Sequence, residues 1–191
     1  GAFFTLRDRA SQMTVRCPAN RMARCHLVEG ERASVTGSLE YANDRGELRL
    51  VAEEVLPVGE GAIALLLEQV RGRLRADGLV DRPKRRMPAL PAVIGVICGA
   101  EAAVRADIES VIVARFEGYP VEFVETSVSG QGAVDAVCAA LAAIDARPEV
   151  EVIILARGGG APSQLLPFSD ESLCRAVAAS TTPVVSAIGH D

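Results

Sequence analysis

The sequence predicts two folded parts, a small β-rich domain followed by an α/β domain built on a doubly wound parallel sheet. Residues 1–57 contain four short β-like runs separated by turn signals, whereas residues 92–191 alternate buried-type strands with helical segments. The charge changes along the chain as well: residues 1–91 carry 15 basic and 12 acidic side chains, net +3, and the remainder carries 5 and 13, net −8. These observations predict three segments, 1–57, 58–91 and 92–191.

The first part is predicted to be a small antiparallel barrel or sheet. Its strands are F-F-T-L-R-D, M-T-V-R-C, Ala33 to Tyr41 and Glu47 to Pro57, with a short helix over residues 18–26. The N-D-R-G sequence at 43–46 is typical of a turn, so the last two strands form a hairpin. Because the chain opens directly on a strand, we expect the natural protein to begin earlier.

Residues 58–91 are predicted to form a connecting helix and a basic, proline-rich linker. Apolar side chains recur at helical spacing between Gly59 and Leu79, at Ile63, Leu66, Leu67, Val70 and Leu74. Asp77-Gly78 closes this helix. From Arg71 to Arg86 there are seven basic and two acidic side chains. This excess of positive charge either attracts a polyanion or is simply a solvated helix face and linker.

From Ala92 onward the pattern predicts four parallel strands joined by helices. The elements are a strand from Ala92 to Cys98, a helix from Glu101 to Phe116, a strand from Val121 to Val128, a helix from Ala133 to Ala146, a strand from Val150, a helix N-capped by Ser169 and a strand from Thr182 to Ile188. Right-handed crossovers arrange the strands in the order 2-1-3-4, with a switch point between the first and third.

The carboxyl ends of these strands predict where the functional site lies. The strand beginning at Val150 ends in Arg157 and three glycines, and ligands of open α/β sheets collect at this edge. The guanidinium of Arg157 suits phosphate or carboxylate. His190 follows the last strand and is either a general acid or base or a residue that merely ends its strand. R-G-G-G alone matches neither a dinucleotide fingerprint nor a P-loop.

Composition argues against several other classes of protein. The five cysteines are scattered without a C-x-x-C pair, and the two histidines give a zinc site little to build on. The sequence has no apolar run of the roughly 20 residues that a membrane span needs, and no signal segment opens it. We therefore expect a cytoplasmic protein without a membrane partner and without a protein-held metal cluster.

Several motifs together resemble one family. The run from Val150 to Asp191, with A-R-G-G-G, P-F-S-D-E, C-R-A-V-A-A-S and T-P-V-V-S-A-I-G-H, is similar to the catalytic region of the exodeoxyribonuclease VII large subunit. Upstream, A-V-I-G-V-I, the Asp107-Ile108 step and V-x-G-x-G-A at Val128 to Ala133 match in order and spacing. F-F-T-L-R-D and G-E-L-R-L-V-A-E-E-V resemble its OB-fold, and V-G-E-G-A-I-A-L-L resembles its connector. The resemblance spans nearly the whole chain.

The resemblance implies an OB-like barrel lacking its first strand, a connecting helix and an α/β catalytic domain truncated at its C-terminus. It implies a hydrolase that degrades single-stranded DNA from its ends, together with several copies of a small subunit. The functional residues of the family fall on Asp107, Arg157 and His190. Arg157 would neutralise charge on the phosphate oxygens, His190 would activate water or protonate the leaving oxygen, and Asp107 would orient it or share that work.

The other residues assigned here form two sets. The glycines expected to approach the phosphate or the DNA backbone are Gly130, Gly132, Gly158, Gly159 and Gly160. The nucleic-acid-binding candidates are Phe3, Arg7, Arg9, Arg16, Tyr41, Arg71 and Arg75. The family implies no strictly required cofactor and allows Mg²⁺, and self-association of the chain is also allowed.

Two departures from the family pattern keep other functions open. Ala161-Pro162-Ser163-Gln164 stands where members carry a serine and an acidic pair, and the chain stops before the second aspartate of a G-H-x-x-D pattern. We therefore expect a fragment. The alternatives are a non-catalytic module that binds single-stranded DNA and an α/β enzyme that binds a small phosphorylated ligand.

Overall fold

The chain is divided into two compact units. The computed structural model describes residues 1–27, 29–30, 32–42, 46–100, 102–130, 132–160 and 162–189. The first unit is Gly1–Glu68 and the second is Gln69–Asp191. Each unit contains one four-stranded sheet.

The first unit contains a mixed sheet. Its elements are β1 (Ala2–Arg7), β2 (Gln12–Cys17), a 3₁₀ helix (Ala19–Arg24), β3 (Ala33–Ala42) and β4 (Glu47–Pro57). The order is β1-β2-β4-β3, and β2 and β4 are parallel while the other pairs are antiparallel. The prediction of a purely antiparallel arrangement was therefore wrong, because the β3–β4 hairpin places β4 on the inside of the sheet, next to β2.

The core of this sheet lies on one face, where Val15, Cys17, Ala52 and Val55 are fully buried. Gly37 on β3 marks a close approach to β4. A Cβ at this position would overlap the carbonyl of Val51, and the strand register shifts at the same place. The bulge therefore brings the two strands so close that only glycine fits at residue 37. Of the predicted turn, residues 43–45 lie outside the described residues, and Gly46 has a positive φ of 65°.

The predicted helix is present as α1 (Glu60–Ala76), and the division between the two units falls within it. Its buried side chains follow the 3.6-residue period, at Ala62, Leu66, Val70 and Leu74. The helix ends at Gly78, which has a φ of 69°, and the N–H of Leu79 donates to the carbonyl of Leu74. This is the glycine-terminated helix end that Asp77-Gly78 predicted.

The second unit contains a parallel sheet. Its elements are β5 (Val93–Cys98), α2 (Ala102–Arg115), β6 (Val121–Glu125), α3 (Ala133–Asp145), β7 (Val150–Arg157), α4 (Pro162–Leu165), a 3₁₀ helix (Leu166–Ser169), α5 (Glu171–Ala179) and β8 (Val184–Ile188). The strand order is β6-β5-β7-β8, with every pair parallel. The predicted order 2-1-3-4 is confirmed, whereas the short helical segment at 162–169 was not foreseen.

Helices cover both faces of this sheet, as a doubly wound fold requires. On one face, Ile97, Ile153 and Leu155 pack against α3 and α5 through Val137, Leu141, Ile144 and Leu173. On the other face, Val96, Cys98 and Ala156 pack against Val104 and Ile108 of α2. Alternate residues of the buried strands therefore serve two separate cores.

The basic linker is held against the second unit by hydrogen bonds. Arg82 donates to the carbonyl of Ala178, and Arg85 Nε donates to the carbonyl of Ser180 at 2.7 Å. Both acceptors lie at the C-terminal end of α5, where unpaired carbonyls favour cations. These two arginines therefore bind main-chain carbonyls, although Arg85 is still exposed, and both interpretations of the basic segment stay open.

The N-cap of α5 is Asp170, not Ser169. The Asp170 carboxylate accepts from the N–H of Ser172 at 2.7 Å, and Asp170 has the extended backbone of a capping residue. Ser169 belongs instead to the preceding 3₁₀ helix. Glu171 is then the acidic residue of the first turn, where it accepts from Arg175 at 2.7 Å.

Candidate active site

The carboxyl ends of the four parallel strands lie along one edge of the second unit's sheet. Ile188 is in register with Arg157, and Cys98 is in register with Glu125. The N–H of Gly189 donates to the carbonyl of Arg157 at 3.0 Å, which extends the β7–β8 pairing past the end of β8. β7 lies between β5 and β8, and its last residue, Arg157, pairs with β8 and extends past the end of its pairing with β5.

Arg157 is buried at this edge. Its side chain is only 7% exposed. Nη1 donates to the carbonyl of Gly158 at 2.8 Å and also to that of Gly159. Among the described residues, none accepts a hydrogen bond from Nε, which is buried. The guanidinium is therefore turned back on the loop that follows its own strand, and part of its donor capacity is unused.

The glycine triplet makes this conformation possible. A Cβ at Gly160 would overlap Nη1 of Arg157 and would lie 3.1 Å from Nη2. Any larger residue at 160 would therefore displace the guanidinium. Gly158 and Gly159 supply carbonyl acceptors, and Gly160 leaves space for the guanidinium. The triplet therefore fixes the conformation of the Arg157 side chain.

The described hydrogen-bond partners of Arg157 are all neutral. Within the described part of the chain, no carboxylate forms an ion pair with it. Arg105 on α2 is a useful contrast, because it is bound to Glu109 at 2.8 Å and to Glu125 at 3.0 Å. Burying a cation without a counter-charge is costly. The edge of the sheet is therefore suited to an anion that approaches Arg157.

The other two catalytic candidates are placed differently. Asp107 is exposed on α2, and its carbonyl accepts from the Ser110 hydroxyl at 2.8 Å. It lies about 7.5 Å along the helix axis from Ala102, and among the described residues no hydrogen bond or ion pair joins its carboxylate to Arg157. His190 lies outside the described residues, so only the preceding residue, Gly189, is located.

The loop after β6 brings two more of the predicted glycines to this edge. Gly130 and Gly132 have φ values of 76° and 79°, which other residues rarely adopt, and no atom lies within 4 Å of a Cβ built on either. Gly132 is the N-cap of α3. The loop therefore leaves open space at a helix N-terminus beside the sheet.

Cys98 ends β5 at the same edge, where its surroundings disfavour the reactive thiolate. Burial raises the pKa of its thiol, and the negative charge of Glu125 raises it further, although Arg105 opposes this in part. The thiol therefore stays protonated at neutral pH, and only a thiolate would be reactive.

The nucleic-acid candidates of the first unit lie on two faces of its sheet. Phe3 is 65% exposed and is paired with Arg16 across β1 and β2, and Arg7 lies on the same face because it follows Phe3 by four residues. Tyr41 is 60% exposed but lies on the opposite face, since it pairs with Leu48, which lies on the same face of β4 as Leu50, the partner of Val15. The structure thus brings Phe3, Arg7 and Arg16 together and separates them from Tyr41.

The remaining arginine candidates are spread over other surfaces. Arg9 is exposed in the turn between β1 and β2. Arg71 and Arg75 are exposed on α1, where Arg75 lies 3.6 Å from Asp81. Arg16, on the face of Phe3, is not free of acidic neighbours, because it lies 3.4 Å from Glu40, which also binds Arg49. These arginines do not form one continuous site within either unit.

The sequence also matches known proteins. Residues 79–191, more than half of the chain, match the family described as exonuclease VII, large subunit. The chain belongs to the exonuclease VII large-subunit family. The predicted resemblance is therefore confirmed, and the match covers all elements of the parallel sheet.

Relatives in the exonuclease VII large-subunit family align with the whole chain. The exodeoxyribonuclease 7 large subunits of Nocardia farcinica, Thermobifida fusca and Corynebacterium glutamicum are 44%, 43% and 42% identical over 195 residues. Each alignment covers 100% of this chain but only 46%, 48% and 47% of the relative, respectively. The chain thus spans about half the length of these relatives.

The described part of this member of the exonuclease VII large-subunit family lacks two kinds of feature. Among the described residues, no group of three or more His, Cys, Asp and Glu side chains could hold a metal ion. No described helix is long and apolar enough to cross a membrane.

Sequence reasoning gave one residue near Arg157 no role. Gln164 on α4 brings its Oε1 to within about 2.5 Å of where a Gly160 Cβ would lie. The sequence signal at this position was its departure from the family pattern, which has an acidic pair in the stretch after the glycine triplet.

Proposed function

We propose that the chain is the DNA-guiding and catalytic part of a large subunit that hydrolyses phosphodiester bonds of single-stranded DNA from its ends. The observation that carries this proposal is the buried guanidinium of Arg157 at the carboxyl edge of the sheet, which forms no ion pair with any described residue. A DNA phosphate would supply a negative charge there, and family membership supports DNA as its source.

Arg157 is proposed to stabilise the negative charge that develops on the non-bridging phosphate oxygens. On phosphate binding, its N–H groups would exchange the carbonyls of Gly158 and Gly159 for anionic oxygens, which accept stronger hydrogen bonds. Electrostatic stabilisation of this kind is worth roughly 10²- to 10³-fold in turnover per donor. Burial strengthens the interaction because water does not screen it.

The proton transfers are assigned to the other two candidates. His190 is proposed to activate water or to protonate the leaving oxygen, and Asp107 to orient it or share that work. Gly189 supports the first assignment, since its hydrogen bond to Arg157 brings the chain beside the arginine just before the histidine. The exposed position of Asp107 on α2 favours an indirect role.

Residues 1–57 are proposed to form an OB-like domain that guides the strand, with 58–91 as connector and 92–191 as catalytic domain. Support comes from the mixed sheet with its 3₁₀ helix between β2 and β3, and from the exposed Phe3 beside two arginines. An aromatic ring stacks on bases while arginines bind phosphates. The glycines of the β6 and β7 loops are proposed to let the DNA backbone approach the edge.

The partners and setting follow from the family. Several copies of a small subunit are proposed to assemble with the full-length large subunit, in the cytoplasm. The described residues offer no ready-made metal cluster. We therefore propose no strictly required cofactor, and Mg²⁺ would bind, if it does, together with substrate phosphates.

The test is Arg157→Ala in the full-length large subunit assembled with small subunits. Hydrolysis of end-labelled single-stranded DNA should fall by at least about 10²-fold, while equilibrium binding of the same strand changes only a few fold. Arg147→Ala is the matched control, because Arg147 pairs with Glu122 away from the candidate site and its loss should leave turnover intact. Unchanged turnover in Arg157→Ala would exclude this proposal.

The same buried cation also suits a small phosphorylated ligand. Competition separates the two functions, because such a ligand would displace single-stranded DNA from the site and would itself be turned over. DNA binding, in contrast, should weaken steeply as salt rises, since counterions are released from the strand. A complex that binds DNA but never cleaves it, with or without Mg²⁺, would instead indicate a binding module.

A further inference from the structure

Two arginines on the face of Phe3 converge on one carboxylate. Arg16 Nη1 lies 3.4 Å and Arg49 Nε lies 3.2 Å from the same oxygen, Oε2 of Glu40. Arg49 on β4 pairs with Glu40 on β3 and, on its other side, with Thr14 on β2. Arg16 follows Thr14 by two residues, so its side chain emerges on the same face. Because the Glu40 side chain is 41% exposed, an anion is held between two guanidiniums at the surface of the sheet.

The same surface carries the aromatic ring that is proposed to stack on a base. Phe3 pairs with Arg16 across β1 and β2 and is 65% exposed. Neighbouring strands are about 4.8 Å apart, so the ring and the guanidinium are within the reach of one nucleotide. Thr5 and Thr14, the next pair on this face, add hydroxyl groups that can donate to a phosphate. A phosphate bound between the arginines would therefore leave its base beside Phe3.

A phosphate can replace the Glu40 carboxylate between the two arginines. Both kinds of anion accept charge-assisted hydrogen bonds from guanidinium groups, and the planar fork of arginine suits either one. In the absence of DNA, the carboxylate offsets the repulsion between two neighbouring cations. Ion pairs at an exposed surface contribute little to stability. The exchange of carboxylate for phosphate therefore requires little free energy.

We propose that Arg16 and Arg49 form a binding site for one backbone phosphate of single-stranded DNA, in which Glu40 occupies the phosphate position until the strand binds. The inference rests on the proposed function, which assigns strand binding to the first unit. It adds Arg49 to the residues that bind DNA and gives Glu40 the opposite effect. Because the carboxylate competes with the phosphate, it lowers the affinity of the site for the strand.

Glu40→Gln separates charge from shape, because it keeps the size of the side chain and removes its charge. Without the competing charge, affinity for a single strand should rise about two- to fivefold. Arg16→Ala should lower the affinity, and the plot of log K against log salt should become less steep by about 0.7, the value for one lost phosphate contact on a single strand. If Glu40 only holds the arginines in place, Glu40→Gln should instead leave affinity unchanged or lower it.

The experiment uses the full-length large subunit assembled with small subunits and a fluorescent phosphorothioate oligothymidylate, which resists hydrolysis during the measurement. Fluorescence anisotropy gives the binding constant at several salt concentrations. Glu53→Gln is the matched control, because Glu53 pairs with Arg21 of the 3₁₀ helix at 3.2 Å, and the variant removes the same charge from an ion pair in the same unit. It should leave affinity unchanged.

The outcomes separate the inference from the proposed function. Weaker binding in Arg16→Ala together with tighter binding in Glu40→Gln supports both. Weaker binding in Arg16→Ala without a gain in Glu40→Gln, or with an equal gain in Glu53→Gln, overturns the role of Glu40.

Two further results bear on the site as a whole. Parent affinity in Arg16→Ala with weaker binding in Phe3→Ala overturns the phosphate site alone. Parent affinity in both variants overturns the assignment of strand binding to the first unit, and the phosphate site with it. Turnover of Arg157→Ala tests the hydrolytic part of the proposed function independently of these results.

Discussion

Asp145, the last residue of α3, joins that helix to the segment that leads into β8. Its carboxylate accepts from the N–H of Thr181 at 2.9 Å and of Thr182 at 2.8 Å, and from the Ser180 hydroxyl at 2.9 Å. Burial opposes ionisation of the group, but these hydrogen bonds outweigh it and hold its pKa at about 2. One carboxylate thus accepts hydrogen bonds from the segment just before β8, at the edge of the sheet opposite Arg157.

Asp145→Asn should destabilise the chain in a pH-dependent way. Because the pKa lies below the usual 3.8, the carboxylate stabilises the fold above about pH 3.8 and loses this effect as pH falls toward 2. At neutral pH the loss should be on the order of 2 kcal/mol. Urea denaturation followed by circular dichroism at about pH 7 and pH 3 would measure it.

Glu149→Gln is the control for this prediction. Glu149 is exposed in the turn after α3, and the same removal of charge there should cost little at either pH. A difference between the parent and Asp145→Asn that did not shrink at acid pH would contradict the role assigned to the ionised carboxylate.

At the scale of elements, the contact between β5 and α3 depends on one glycine. A Cβ at Gly95 would overlap Cδ1 of Ile144 and would lie 3.0 Å from Cγ1 of Val150. Ile144 is fully buried and has no room to move away. The helix therefore packs as closely as it does only because β5 has no side chain at this position.

Gly95→Ala should lower the free energy of unfolding by roughly 1–3 kcal/mol through overpacking. Ile144→Val removes the overlapping methyl group, so the double variant should be more stable than the sum of the two single effects predicts. Chemical denaturation of the four proteins gives this coupling.

Gly72→Ala provides the matched control. It adds the same methyl group on α1, where nothing lies within 4 Å, and should stabilise the helix by up to about 1 kcal/mol. Strict additivity of Gly95→Ala and Ile144→Val would contradict the close contact between β5 and α3.

The elements of the second unit were predictable because their sequence signals are local. The apolar run from Val150 to Arg157 is bounded by turn residues, and the strand has those limits. Crossover handedness then gave the strand order. The parallel pairing of β2 with β4 was missed because it depends on which distant strands meet. Ser169 was chosen over Asp170 as the helix cap because both are good caps, and only the preceding 3₁₀ turn decides between them.

The location of the candidate site was predictable from the sequence, but its side-chain geometry was not. That Arg157 and the glycines share an edge with the end of β8 follows from parallel strands. The inward turn of the Arg157 guanidinium does not follow from the sequence, and neither does the approach of the Gln164 side chain to Gly160. Both depend on how side chains pack over Gly160. His190 and the residues after it stay predictions.

At the scale of the whole molecule, the proposed function assigns DNA binding to the first unit and hydrolysis to the second. Phe3 and Tyr41 are similarly exposed aromatic residues on opposite faces of the first sheet. Among the described strand residues of this sheet, only those on the face of Phe3 include arginines, namely Arg7, Arg16 and Arg49. The face of Phe3 is therefore the better candidate track for single-stranded DNA.

Phe3→Ala should weaken binding of a single strand by about 1–3 kcal/mol, the usual worth of one base stacked on an aromatic ring. Tyr41→Ala, an aromatic-to-alanine change at nearly the same exposure, should leave affinity within about twofold. Fluorescence anisotropy with the full-length large subunit would compare them at one salt concentration. Equal losses in the two variants would mean that the track is not confined to the face of Phe3.

The buried guanidinium of Arg157 serves the proposed activity and not the stability of the fold. A methionine or leucine of similar volume would avoid the cost of a desolvated charge, and replacements of this kind are often neutral or stabilising in other proteins. Selection for stability alone would therefore not keep an arginine here. Under the proposed function, its presence is a compromise, in which the fold keeps an unfavourable side chain that binding of a DNA phosphate would relieve.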